Sequence, residues 1–283
     1  MDKSSVRAAF VSTGLARLTK DLDRVSKSSI RLSTTAVDEF LLNVGASKLG
    51  GIPDLPPGTQ WPQCKGLPQS FIAQLRMDDV RPYDTNNVLP KNGMLWFFYD
   101  AQQQTYGADP ADRGGWQVLF MEGTPKELQR TPAPEQLPTE SQFKACTITF
   151  TNEITLSQQP KLEIPNLDWT NAEQQQYEKL LSTFPDQVDR ALVHHRLLGH
   201  PDTIQDDMRL ECQLASHGLT DVNDPRAATV SKGAMDWQLL LQVDSDEQAG
   251  MQWGNTGMIY YWLQAADLQA SRFDTTWLVL QSE

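Results

Sequence analysis

Two stretches concentrate side chains able to do chemistry: HHRLLGHPDTIQDDMR (His194–Arg209) and DSDEQAGMQWGN (Asp244–Asn255). Imidazoles and carboxylates could ligate a metal or move protons. The acidic run resembles the start of a calcium loop, which needs oxygen ligands at fixed spacing, glycine at its sixth place and a bidentate carboxylate at its twelfth. With Asp244 first, Gln248 falls fifth, Ala249 replaces the glycine and the amide of Asn255 replaces the carboxylate. An EF-hand is rejected, and carboxylates capping a turn are the simpler role. His194, His195, His200 and His217 lack the helical spacing of zinc proteases, because Gly199 and Pro201 interrupt the run. They read as loop-bracing histidines. There is no GxSxG elbow and no GxGxxG or GxxxxGK[ST] phosphate loop. Cys64, Cys146 and Cys212 form no CxxC pair, so they read as free thiols in a reducing compartment. No metal and no cofactor are expected.

Gln74 and Gln242 are more informative. Each ends an apolar run of strand length, where a buried amide needs partners. The plainer role for each is to bond loop backbone of its own half, holding LGGIPD or LLGHPD against a sheet. The functional alternative is a polar cleft between halves, formed by Gln74, Asp202, Gln205, Asp207, Arg209, Gln242, Asp244, Asp246, Trp253 and Asn255. Such a cleft would suit a small polar ligand or a peptide segment.

These residues require a scaffold, and the chain carries signs of a repeated one. LGGIPD (Leu49–Asp54) matches LLGHPD (Leu197–Asp202), FIAQLRMD (Phe71–Asp78) matches LLLQVDSD (Leu239–Asp246), and GMLWFFYD (Gly93–Asp100) matches GMIYYWLQ (Gly257–Gln264). Pro53 and Pro201 are 148 positions apart, Gln74 and Gln242 168, and Gly93 and Gly257 164. One ordered series with a loop-sized insertion implies an internal duplication. The expected organisation is an amphipathic helix in residues 1–28, a β-rich repeat over 29–122, a Pro-rich connector over 123–145, and a second β-rich repeat over 146–283.

Val6, Phe10, Val11, Leu15, Leu18, Leu22 and Val25 define one helical face. Ile30 and Leu32 suggest a short strand, and Thr35–Val44 a helical turn. Strands are expected at Phe71–Leu75, Met94–Tyr99, Trp116–Met121, Thr147–Phe150, Glu153–Leu156, Gln238–Val243, Met258–Leu263 and Trp277–Gln281. Asn171–Val193 reads as one or two helices broken near Pro185. The fold class is α+β, with two sheet-containing halves packed as one unit.

The 283 residues have a mean hydropathy of −0.47 and a net charge of −12. Such an acidic chain repels phosphate backbones, so no nucleic acid is expected. No apolar run is long enough to span a membrane, and the N-terminus lacks a signal-type apolar core, so the expected location is cytoplasmic.

The series SKLGGIPDLP, FIAQL, GMLWFFYD, LLGHPDTIQDDMR, LLLQVDSD and MQWGNTGMIYYW resembles the YwqG-like family, a bacterial domain of unknown function. The resemblance runs from about residue 30 to the end and implies a β-rich α+β fold. It also implies proximity to toxin systems, hence an immunity-type role. The family's WGD is WGN here, at Trp253–Asn255, which removes an acidic group that metal binding or proton transfer would use. The expected function is a non-catalytic binding or protein-interaction module with a protein partner or small polar ligand. The alternative is a hydrolase or transferase built from the same cleft.

Overall fold

Ten strands form one antiparallel sheet. In chain order they are β1 (Ser26–Ala36), β2 (Lys48–Leu49), β3 (Ser70–Arg76), β4 (Met94–Tyr99), β5 (Trp116–Met121), β6 (Cys146–Leu156), β7 (His195–Leu198), β8 (Trp237–Asp244), β9 (Gly257–Gln264) and β10 (Trp277–Ser282). Their order across the sheet is β10-β9-β8-β7-β1-β6-β2-β3-β4-β5. The computed structural model describes residues 2–123, 127–184 and 192–283.

The centre is the pairing of β1 with β6, in unbroken register from Ser26 opposite Leu156 to Ala36 opposite Cys146. Sequence patterning underestimated both strands. Ile30 and Leu32 mark the inward side of an eleven-residue strand, and Thr151-Asn152 is not a turn between two short ones. Arg31 lies opposite Thr151 and Ile30 opposite Asn152, so the ladder continues through the polar pair and satisfies its backbone groups. The expected helical turn at Thr35–Val44 shrinks to a single 3-10 turn, Glu39–Leu41, capped by Asp38.

The sheet curls until its two edges meet. The rings of Trp116 on β5 and Trp277 on β10 pack edge to face at 4.9 Å. Trp116 Nε1 donates to Thr276 O at 2.7 Å, and Trp277 Nε1 donates to Gly107 O at 2.8 Å. Leu280 N donates to Tyr106 O at 3.1 Å, so the loop after β4 occupies part of the β10 edge. Gly107 is required there: at φ +90°, a Cβ would come within 1.9 Å of Leu278 O. Across the interior, Phe97 meets Tyr261 at 5.1 Å, and Tyr99 meets Trp253 at 5.9 Å.

The continuous apolar run MLWFFY of β4 is buried on both faces. Leu95, Phe97 and Tyr99 enter the main core, while Met94, Trp96 and Phe98 pack with Leu55 and Phe71 in a second layer. The N-terminal residues are not one continuous helix. Helix α1 (Lys3–Ser12) ends at Gly14, whose φ of +84° permits a bond from Leu15 N back to Phe10 O at 2.8 Å. A 3-10 turn and a short helix follow. Every expected apolar position except Val11 is buried, against α2 (Asn171–Thr183) and the end of β6. The remainder of the helical expectation after Phe184, over 185–191, lies outside the described residues. The Pro-rich 123–145 stretch returns to the first half through Gln129–Arg130, which pairs with Asp54–Leu55.

All three cysteines are free and buried. Native protein should therefore react slowly with a thiol reagent, whereas denatured, unreduced protein should release all three thiols. Recovery of fewer than three on denaturation would contradict the reduced state.

Candidate functional site

Gln74 and Gln242, singled out as strand-ending amides, are fully buried and make the same set of bonds in two places. Lys48 of β2 lies opposite Gln74 of β3, and Arg196 of β7 lies opposite Gln242 of β8. Gln74 Oε1 accepts from Asp54 N at 2.8 Å, and its Nε2 donates to Ala46 O at 2.8 Å and Asp54 Oδ2 at 2.7 Å. Gln242 Oε1 accepts from Asp202 N at 2.9 Å, and its Nε2 donates to His194 O at 2.7 Å and Asp202 Oδ2 at 2.9 Å. A buried cation completes each set. Lys48 Nζ lies 3.3 Å from Asp54 Oδ2, and Arg196 Nη2 lies 2.8 Å from Asp202 Oδ2. The carbonyls of the two aspartates accept from Trp96 Nε1 at 2.9 Å and Tyr260 OH at 2.7 Å. These amides hold the LGGIPD and LLGHPD loops against the sheet.

The two adjacent histidines of β7 and its approach are held as firmly. Nδ1 of His195 accepts from Asp244 N at 3.0 Å, which places its proton on Nε2, 3.2 Å from Asp246 Oδ2. Asp246 also accepts from Thr34 Oγ1 at 2.7 Å and Gln248 N at 2.8 Å. His194 N donates to Asp244 Oδ2 at 2.9 Å, and its Nδ1 lies 3.2 Å from Asp202 Oδ2. Burial alone would raise the Asp202 carboxyl, but Arg196 and the bonds from His194 and Gln242 outweigh it and lower the pKa to about 2. Burial opposes ionisation of Asp246 too, and the His195 and Thr34 bonds overcome it, again to about 2. At Asp244 the bond from His194 N and the adjacent histidines do not offset burial, which raises it.

Over this framework lies a cleft of about 870 Å³. Its walls come from β1, β6, the Leu192–His194 approach and the 245–256 loop. Of the residues expected to share one cleft, Asp246 and Asn255 line it, together with His194. Gln74, Gln242 and Asp202 lie inside the scaffold. Trp253 is also buried, packed between Tyr99 and Phe143 at 5.9 and 5.6 Å, so it gives no exposed indole wall. Gln205 is drawn to the β10 edge, where its Nε2 donates to Ser282 O at 3.0 Å. Asp207 and Arg209 bind one another and border a different cavity.

Sequence reasoning missed Arg31, Ser33, Thr151 and Glu153, which line the cleft from the two central strands. Arg31 Nε is 3.0 Å from Glu153 Oε2, and Glu153 Oε1 is 3.5 Å from Arg196 Nε. The available signal was the alternation of polar and apolar residues along β1, which reads Ile30, Arg31, Leu32, Ser33. Among the described residues, no three His, Cys, Asp or Glu side chains are grouped to hold a metal ion, and no helix is long and apolar enough to cross a membrane.

Two measurements follow from this geometry. Gln74→Ala and Gln242→Ala each strand a backbone N–H, a carbonyl and a buried carboxylate. Each should cost about 3 kcal/mol or more in a urea melt, while Asp244→Ala, which loses one backbone acceptor, should cost about 1 kcal/mol. Equal losses at Asp244 and Gln242 would contradict this ranking. The second measurement is pH dependence. Asp202 and Asp246 have folded pKa values near 2 against an ordinary 3.8, so their contributions are complete above about pH 4 and vanish as pH falls toward 2. The loss should be on the order of 2 kcal/mol for each. Asp246→Asn should be less stable than wild type at pH 7 and show a shallower acid limb.

No curated protein matches the chain. Residues 47–282 match the family described as Domain of unknown function (DUF1963), a span that takes in nine of the ten strands, both central glutamines with their aspartates and cations, and the loop side of the cleft, with β1 lying before it. The chain belongs to that domain-of-unknown-function family.

Proposed function

We propose that the protein is a non-catalytic binding module that takes a polar ligand or an extended peptide segment of a protein partner in the cleft over β1 and β6. One observation carries this reading: the carboxylates of Asp246 and Glu153 in the cleft wall are already committed. Asp246 accepts three bonds, one of them from His195 behind the wall, and Glu153 faces Arg31 and Arg196. A general acid or base needs a proton position open to substrate, and groups fixed in this way serve shape and polarity instead. Hydroxyls of Ser33, Thr34 and Thr151, with amides of Gln248, Gln252 and Asn255, supply donors and acceptors for a backbone or other neutral polar group. The WGN sequence, with an amide where relatives' motif carries an acid, agrees with binding rather than proton transfer.

We further infer that the scaffold is an internal duplication of residues 29–122 and 146–283, joined by 123–145, and that within its family the chain is YwqG-like. The support is the pair of glutamine-centred bond sets, the matching order β2-β3-β4-β5 and β7-β8-β9-β10 outward from β6 and β1, and matching irregularities. Register shifts fall at Phe71/Ala73 and Leu239/Leu241. Left-handed pairs follow β2 at Gly50-Gly51 and close β7 at Leu198-Gly199.

Ser33→Arg and Thr151→Arg place bulk in the cleft from exposed strand positions. Each should leave the urea midpoint within error and abolish retention of the ligand or partner that wild-type protein carries from its native host, as measured by mass spectrometry. Equal retention by both variants would remove the cleft from the reading. Turnover of any co-purified ligand, lost in the same variants, would instead establish catalysis.

A further inference from the structure

A second cavity lies away from the cleft, between the start of β1, the 157–163 segment, the 199–209 loop and Trp262 of β9. Its enclosed part is small, about 20 Å³. That is room for about one non-hydrogen atom of oxygen size. The scaffold leaves its polar groups unmatched. Trp262 Nε1 and His200 Nε2 are buried in residues 2% and 4% exposed, and neither has a hydrogen-bond partner. No hydrogen bond or ion pair engages Lys27 Nζ among the described residues, although Lys27 lines the same cavity.

The other charged side chains of the wall, Arg209, Asp207 and Glu163, face one another. Arg209 forms bonds through Nε to both oxygens of Asp207, at 3.1 and 2.9 Å, and its Nη1 lies 2.9 Å from Glu163 Oε1. The backbone of His200 is fixed at both ends: its N donates to Thr155 Oγ1 at 2.7 Å, and its carbonyl accepts from Arg196 Nη1 at 3.2 Å. The backbone is therefore held in place, while the buried Nε2 of the ring has no partner.

The identity of the unmatched groups selects the ligand. An indole N–H and an ammonium can only donate, so the atom they meet must be an acceptor. Two donor-only groups around a single-atom space, with a ring nitrogen beside them, describe a seat for one oxygen of an anionic group. The local field agrees. Burial, with Lys27, Arg209 and Arg196 nearby, pushes His200 well below its ordinary pKa, so the ring is neutral, with Glu163 Oε1 3.9 Å from its Nδ1. Burial also pulls the Lys27 amine down, and the nearby carboxylates of Glu163 and Asp207 do not offset it.

We propose that this cavity binds a carboxylate ligand, with one carboxylate oxygen seated between Trp262 Nε1, His200 Nε2 and Lys27 Nζ. The wall just outside it, Gln158, Gln159 and Thr203, would face the remainder of the ligand. Two sources share this chemistry: a free small organic acid and the C-terminus of a peptide.

The indole N–H resonance of Trp262, assigned by its loss in Trp262→Phe, reports on the site directly. It is followed at constant ionic strength during titration with sodium acetate, sodium chloride, and a short peptide with either a free or an amidated C-terminus. Acetate should move this resonance saturably in the millimolar range and leave the other indole signals in place. Lys27→Gln should weaken the effect by about tenfold or more, because it removes a charge-assisted bond, and Lys27→Arg should preserve it. A response to the free-acid peptide but not its amide identifies a peptide C-terminus, whereas a response to acetate alone identifies a free acid. A static resonance in every titration would mean that the site holds only water and would overturn the proposal. So would a response to chloride equal to that to acetate, or an undiminished response in Lys27→Gln. If Lys27→Gln lost its folded spectrum, the wild-type comparison of acid with amide peptide would decide alone.

Discussion

A buried carboxylate that holds a loop is the constraint on which this structure depends. Asp54 and Asp202 lie in the core beside sheet strands, and an unpaired charge there would be strongly destabilising. Each is tolerated because one glutamine and one cation converge on it. The glutamine ties carboxylate, aspartate N–H and a loop carbonyl into one unit, and the lysine or arginine of the neighbouring strand supplies the countercharge. The cost of an incomplete network is high, since each remaining member would be buried without its partner. That interdependence makes the two loops rigid although they are rich in glycine and proline.

The cleft inherits its shape from this arrangement. Asp202 holds His194 and Arg196, Arg196 faces Glu153, and Glu153 pairs with Arg31 on the central strand. On the other side Asp244 and Asp246 hold the two histidines and the start of the 245–256 loop. The histidines thus serve as joints between loop and sheet. Closure of the sheet adds a second form of rigidity: with Trp116 against Trp277 and the Tyr106 carbonyl on β10, much of the edge that could recruit another strand is covered.

The small cavity near Lys27 differs from everything around it. The buried carboxylates Asp54, Asp202 and Asp246 are each met by amides, hydroxyls, histidines or cations. Here Trp262 Nε1 and His200 Nε2 are buried without a partner beside Lys27. They come from three separate elements, β1, β9 and the loop after β7.

The amino-acid sequence by itself determined the strands with strong apolar runs and the role of the strand-ending glutamines. MLWFFY can only be a strand covered on both faces, and an amide at the end of such a run must find partners nearby. It also determined the buried positions of the N-terminal segment, because their spacing survives the break at Gly14. It did not determine the length of β1 or β6, whose Ser- and Thr-rich sequences carry little hydrophobic signal and are extended by pairing with each other. Nor did it determine the cleft. Trp253 looked like a ligand-facing wall, and only the approach of Tyr99 and Phe143 turned it inward, while Arg31 and Glu153 became cleft residues only when strands more than a hundred positions apart were set in register. Local sequence specifies which side chains need burial or partners; which partner each one meets depends on long-range pairing, and the three-dimensional fold alone decides that.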